Sequence, residues 1–284
     1  MKQNIIFCDG GLANRLNTLI FALILKSKFG GDWAISWPIN NWCGASFESL
    51  FSIDIPIYDH ALSYYKEKEE QYVLVMHENQ KGFKEELIKY QSYFRNYSDY
   101  DDVLHSEKPI IYYHHLIPAF ADTNDIVEGV KILLINPEIL IEAYSFCIRN
   151  SIDQTVLGLH IRKTDFGNTV DDEALYQMAE KSDHRFFVCS DDPLVNDRFS
   201  KLSNCCVYEK KTFPGKMIED THWNGLTTDD QGRTYNFNIN RSAHSVYEAL
   251  IDLLILSKTT HILTSHSTFL RMSMIFKSVN YFRF

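Results

Sequence analysis

The 284-residue sequence has no CxxC pair, no internal repeat, no low-complexity tract, no apolar run long enough for a membrane span and no excess of positive charge. Each absence removes a class of protein. A formal net charge of −9 argues against a surface for nucleic acid or for an anionic membrane, so an anionic ligand has to be met by a local cluster of cations. The six cysteines (Cys8, Cys43, Cys147, Cys189, Cys205 and Cys206) are scattered, mostly inside apolar segments, and the adjacent last two have poor geometry for bridging each other. Reduced thiols of an intracellular protein are the expectation. The start, MKQNIIFCDGG, is interrupted by Asp9 too soon for a signal peptide, and the longest apolar helix candidate, LNTLIFALILK at 16–26, is a core helix rather than a span. No His/Cys cluster has metal-ligand spacing, and the glycine-rich segment near the start is neither GxGxxG nor a Walker loop.

What is present is an ordinary folded composition, 45% hydrophobic and 23% charged, in a length comfortable for two domains. NIIFC (4–8), a turn, a helix over 14–29 and DWAISW (32–37) make a β-loop-α-β opening, followed by a helix at 44–51. Residues 60–110 are polar and Tyr-rich, with helical patches such as 81–94, and 135–150 reads as a connecting helix. In the second half, strands at 155–161, 185–190, 205–210 and 261–265 alternate with helices near 171–182, 193–202, 242–257 and 267–276. The expected fold is α/β with two Rossmann-like domains, 1–145 and 146–284, facing each other across a cleft.

Ligands of such sheets sit beyond the carboxyl ends of the strands. There GLHIRKTDFG (158–167) delivers His160 and Arg162 to one side, with Lys163 and Asp165 following. A planar, always-charged guanidinium suits a phosphate; the alternative is a surface Arg–Asp pair capping the strand. SDDPLV (190–195) repeats the design with Ser190, Asp191 and a helix-starting Pro, and TSHSTFLR (264–271) supplies Ser265, Ser267 and Thr268 at a third strand end. Helix-N-terminal hydroxyls and N–H groups bind anions, and they also simply cap. Asp252 sits inside the most apolar stretch of its helix, either on an outer face or held by a specific donor such as the paired N–H groups of guanine. Gly11, Asn14 and Arg15, in GGLANRL, fit a turn or a ligand's approach equally well. Trp33, Trp37 and Trp42 lie within ten residues, as core aromatics or as a stacking face for a sugar.

Together these stretches resemble the GDP-fucose-dependent fucosyltransferase superfamily of core α-1,6, nodulation-type, α-1,2 and protein O-fucosyltransferases. LGLHIRKTD is similar to its His-x-Arg-Arg-x-Asp strand end, FFVCSDDP to its Ser/Thr-Asp-Asp-Pro segment, ALIDLLILSKTTHILTSHSTFLR to its helix-strand-Ser/Thr pattern, and GGLANRL to the glycine-rich motif of the α-1,2 enzymes. DWAISWPINNWCGASFESLF resembles the Trp-containing segment of the α-1,6 enzymes, whereas 55–135 resembles nothing. The resemblance implies a GT-B fold and inverting, cofactor-free, metal-independent transfer of fucose from GDP-fucose to a glycan acceptor. By position, Arg162 would bind the donor's pyrophosphate and support its departure, His160 and Asp252 would contact guanosine, and Thr268 or Ser267 a phosphate. The family's second arginine is Lys163 here, and no base is placed; Asp165 and Asp171 are the nearby acids, with Asp172 beside them and helix capping as the competing use.

Three other readings stand beside this one: another GDP-deoxysugar as donor, a metal-dependent transferase using the DxD in DYDD (99–102), and a non-catalytic glycan-binding relative. The expected setting is cytoplasmic, with any membrane association made through the acceptor.

Overall fold

The computed structural model describes residues 2–76, 83–90, 94–165, 171–219, 221–228, 234–262 and 267–279. It divides into two compact units, Met1–Ile39 with Ser46–Ile135, and Asn40–Ala45 with Asn136–Phe284. The division falls ten residues before the expected boundary, and a six-residue piece of the N-terminal half belongs to the second unit.

The first unit runs β1 (Gln3–Phe7), α1 (Leu12–Phe29), β2 (Asp32–Ser36), α2 (Phe47–Leu50), β3 (Phe51–Ser52), β4 (Ile57–Tyr58), α3 (Leu62–Lys66), β5 (Val73–Met76), β6 (Ile88–Tyr90), α4 (Asp101–Leu104), β7 (Ile110–Tyr113), α5 (Thr123–Lys131) and β8 (Leu134–Ile135). Six strands form a parallel sheet in the order β4-β2-β1-β7-β5-β6. α1 is apolar nearly all round and buried from Leu16 to Leu25, as a core helix must be. Trp33 and Trp37 are buried, Trp37 edge-on to Phe47 and Phe51, so these two indoles serve packing rather than a sugar.

The helical patch expected at 81–94 is corrected. Its described residues form a single 3₁₀ turn, Glu85–Leu87, and then β6, which pairs with β5 through Leu74 and Ile88. Burial of Leu87 and Ile88 against the sheet outweighs the local helix preference of the Glu/Lys run.

The second unit runs α6 (Pro137–Arg149), β9 (Leu157–Ile161), α7 (Asp172–Glu180), β10 (Phe186–Ser190), α8 (Pro193–Ser200), β11 (Cys205–Val207), the hairpin β12 (Asn224–Thr228) and β13 (Thr234–Phe237), α9 (Ala243–Leu256), β14 (Thr260–His261) and α10 (Thr268–Val279). Its parallel sheet has the order β11-β10-β9-β14. α6 packs on α9, so it is part of this unit's outer layer instead of a connector. On one face of β9, Leu159 and Ile161 pack with Phe186, Val188, Val195 and Phe199. On the other, Gly158 passes so close to the α9–β14 turn that a Cβ there would lie 2.1 Å from Thr259 Oγ1. That approach, rather than room for a ligand, requires the glycine.

Candidate functional site

β9 and β10 are central and buried, and their sequences turn polar where the sheet ends. At the end of β9, Arg162 donates from Nε to Asp165 Oδ1 at 2.9 Å and from Nη2 to Oδ1 and Oδ2 at 2.7 and 2.5 Å. Asp165 has no exposed surface and accepts further bonds from Thr164 Oγ1 at 3.0 Å and Arg241 Nη2 at 3.2 Å. Burial opposes its charge, but Arg241 and Arg162 outweigh burial and hold the carboxyl below its usual range. Asp165 is therefore corrected from catalytic candidate to positioning group: with no exposed surface and both oxygens bonded to guanidinium, it is placed to orient Arg162 instead of meeting an acceptor.

Asp191, at the end of β10, accepts from the Lys163 backbone N–H at 2.7 Å and from the Thr164 hydroxyl. It pins the turn that aims Arg162. Lys163 sends its ammonium to Asp172 Oδ1 at 2.6 Å. Asp171 is the N-cap of α7, its side chain accepting from Ala174 N at 3.0 Å. The capping use foreseen for Asp171 is thus the one the geometry displays, whereas Asp172 is taken by Lys163. Ser190 Oγ accepts from Asp192 N at 3.1 Å, and Asp192 caps α8.

His160 is buried on the α9/α10 face, stacked on Phe269 with ring centroids 4.7 Å apart. Burial, with Arg162 and Lys210 adding to it against the opposing charge of Asp191, pushes its pKa down to about 4, so the imidazole is neutral at physiological pH. Beneath the strand ends, Asp252 faces Lys210: Nζ meets Oδ2 at 2.7 Å, and the same ammonium bonds Ser190 O. Burial, only partly offset by Lys210, raises the Asp252 carboxyl, and the opposing pull of Asp252 keeps the Lys210 ammonium charged. Asp252 Oδ1 is buried without a hydrogen-bond partner among the described residues. Glu248, one turn earlier on α9, accepts from Lys211 N at 2.7 Å and Thr212 N at 2.8 Å, fixing the loop that carries Lys210.

Ser267 accepts from Phe269 N at 3.2 Å at the start of α10, where Thr268 is the first helical residue. Ser265 lies outside the described residues. Strands β9, β10 and β14 do lie in one sheet, and the polar end expected after the last of them, 263–266, lies outside the described residues. Lys210, Glu248 and Arg241 escaped sequence reading; the usable signals were the cation at the end of the third strand's segment and the arginine just before the Ser242 cap of α9.

The first unit treats its candidates differently. Gly11 is the N-cap residue of α1, and Asn14 is half-buried on the helix. Arg15 is wholly buried, with Nε on Gly10 O at 2.7 Å, Nη1 on Pro38 O at 2.8 Å, Asp9 at 3.8 Å and the guanidinium 4.8 Å from the Trp37 ring centre. Its donor-binding role is corrected to that of an internal clamp between two loops. In DYDD, Asp99 closes a capping box with Asn96 and Asp101 faces His105 at 3.1 Å. Among the described residues no three His, Cys, Asp or Glu side chains are grouped to hold a metal, and no helix is long and apolar enough to cross a membrane.

No protein-family model and no curated protein matches the chain. Solved structures do. The fucosyltransferase NodZ from Bradyrhizobium superposes with a TM-score of 0.57 at 15% identity, over 96% of this chain and 91% of that one. A NodZ α-1,6-fucosyltransferase co-crystallised with GDP gives 0.52 at 13% identity, over 96% and 91%. One soaked with GDP-fucose gives 0.52 at 13%, over 96% and 92%. At these identities the likeness concerns the fold, and the fold is theirs: two Rossmann-like α/β units of the GT-B class.

Proposed function

We propose that the protein is a glycosyltransferase that moves fucose from GDP-fucose to a glycan acceptor, with inversion and without a metal. The observation that carries this is the guanidinium of Arg162, held in a fork by a fully buried Asp165 at the end of a central strand while its own side chain stays 22% exposed. A cation so fixed needs no reorganisation when charge appears in front of it. In the transfer, the bond from the sugar's anomeric carbon to the diphosphate oxygen breaks, its electron pair leaves with GDP, and the acceptor hydroxyl closes on the opposite face while its proton passes to solvent water. Arg162 stabilises the charge growing on the departing diphosphate, the part a divalent cation takes in other nucleotide-sugar enzymes.

The nucleoside follows from the buried carboxylate. Asp252 Oδ1, without a hydrogen-bond partner among the described residues, suits the two neighbouring N–H donors of guanine, and Lys210 on the other oxygen works against the burial that raises this carboxyl. The neutral ring of His160 and the start of α10 at Ser267 and Thr268 complete the donor side. That proteins of this fold have been crystallised with GDP and soaked with GDP-fucose supports the same donor here. Calorimetry with GDP, GDP-fucose, UDP and ADP tests the reading. Micromolar binding of the guanosine compounds, retained in EDTA, with much weaker binding of the others, is expected. Preference for a uridine nucleotide, or donor turnover that EDTA abolishes and manganese restores, overturns it.

A further inference from the structure

Building on that reading, we propose that Arg241, rather than Lys163, is the second cation for the donor's diphosphate, and that residues 40–45 are the strap that holds it in place. Lys163 follows Arg162 directly, yet its ammonium is taken by Asp172 at 2.6 Å and its backbone N–H by Asp191. The guanidinium that joins Arg162 comes from 79 positions further along the chain. Arg241 Nη2 and both donors of Arg162 reach the same oxygen, Asp165 Oδ1. Two guanidiniums around one carboxylate leave a net positive charge. Since Asp165 is sealed and the two arginine side chains are 22% and 15% exposed, that charge is presented on their side. Burial lowers the pKa of Arg241, Asp165 working against it and Arg162 adding to it. Arg241 Nη1 is buried with no hydrogen-bond partner among the described residues. A buried donor left unmade is costly, and a phosphate oxygen is the acceptor that fits both its charge and its planar fork. A diphosphate carries oxygens on two phosphorus atoms, so a second fork has something to grip that the first leaves free.

The placement of Arg241 is over-determined by residues 40–45. Its backbone N–H donates to Asn41 O at 2.8 Å, and its carbonyl accepts from Gly44 N at 2.8 Å. Asn41 Nδ2 also bonds Ile239 O at 3.0 Å. The guanidinium lies 5.8 Å from the ring centre of Trp42, which is edge-on to Phe237 at 5.4 Å. A Cβ on Gly44 would stand 2.5 Å from Arg241 O, so any larger residue pushes the arginine's backbone away. Both main-chain polar groups and the side chain of one arginine are thus fixed by six consecutive residues.

The test is calorimetry of GDP, guanosine and inorganic pyrophosphate with the wild type and with Arg241→Gln, Arg241→Lys, Gly44→Ala and Lys163→Met. Arg241→Gln is expected to weaken GDP and pyrophosphate about tenfold or more, the loss typical of a charge-assisted hydrogen bond, and guanosine less than about threefold. Arg241→Lys keeps a charge for Asp165 but loses the fork, and should recover only part. Gly44→Ala should weaken GDP with Arg241 still present, and Lys163→Met should weaken it less than Arg241→Gln does. The proposal is overturned if Arg241→Gln binds GDP as the wild type does, if it loses guanosine in equal measure, or if Lys163→Met suffers the larger loss. Should Arg241→Gln fail to fold, the lysine and Gly44 variants decide by the same ratios. Failure of the donor reading itself looks different: the wild type would not prefer GDP to UDP, while the pyrophosphate arm would still report on Arg241.

Discussion

Each unit places an arginine just past the carboxyl end of a central strand, and the two are used in opposite ways. Arg15, after β1, is fully buried and gives Nε and Nη1 to the carbonyls of Gly10 and Pro38. Arg162, after β9, is partly open and is held by a carboxylate that is itself sealed. Neutral carbonyls close loops around a cation and consume its donors. A buried carboxylate orients a cation from behind and leaves its front for something else. The same residue type at matching places in a sheet thus reads as scaffold in one case and as site in the other, and the partner's charge and burial decide which.

The sharpest way to break this contrast is Arg162→Ala. Turnover of GDP-fucose, followed as released GDP, should fall at least about a hundredfold, roughly 3 kcal/mol of lost transition-state stabilisation, with Arg162→Lys nearly as poor. The melting temperature should fall as well, because the buried Asp165 then keeps only Arg241 and Thr164 as side-chain partners, so turnover is compared well below it. Near-normal turnover in folded Arg162→Ala would place this arginine in the same class as Arg15. Conversely, Arg15→Ala removes two buried charge-assisted bonds and a stacked indole, and should cost on the order of 3 kcal/mol of stability in urea unfolding. A stability loss under about 1 kcal/mol would return Arg15 to the candidates for ligand contact.

pH probes the second region through His160. Its folded pKa, about 4, lies below the ordinary 6.5, so the unfolded chain takes up the proton first. The stabilisation is complete above pH 6.5 and is lost as pH falls toward 4, by up to about 1.4 kcal/mol per unit. Urea midpoints across that window should drop less steeply in His160→Asn; equal slopes would mean that His160 is already charged in the folded protein. The smallest effect belongs to the pair at the rim: Asp172→Asn, which frees the Lys163 ammonium, should change stability by about 0.5 kcal/mol or less. A loss above 2 kcal/mol would show that this pair shapes the β9–α7 turn.

Much of this was legible before any coordinates. Arg162, Asp165, Asp191 and Asp252 sit in strand-end or apolar-helix contexts that local sequence displays, and the alternation of strands and helices over 155–275 fixed the second unit's order. The residues that escaped are those delivered by distance. Lys210 reaches Asp252 across 42 positions, and Arg241 reaches Asp165 across 76. Nothing local marks either as a partner. The first unit's β5, β6 and β7 were hidden for another reason: strands of three or four residues, set among Tyr, Glu and Lys, give too short a period to distinguish from turns. Where the reading of Asp165 went astray, the residue was right and its burial was invisible; a sequence shows that an acid is near, not that it is enclosed.

The excursion of residues 40–45 into the second unit has a consequence for anyone cutting or recombining this gene. The polypeptide leaves one body, contributes a stitch to the other, and returns before finishing the first. A fragment beginning at Asn136 would lack that stitch, and a hybrid exchanged at the apparent junction would pair one parent's Trp42 and Gly44 with the other parent's Arg241. Two halves that look modular are therefore inherited together, and a shuffled library that respects their independence would have to carry six N-terminal codons along with the C-terminal half.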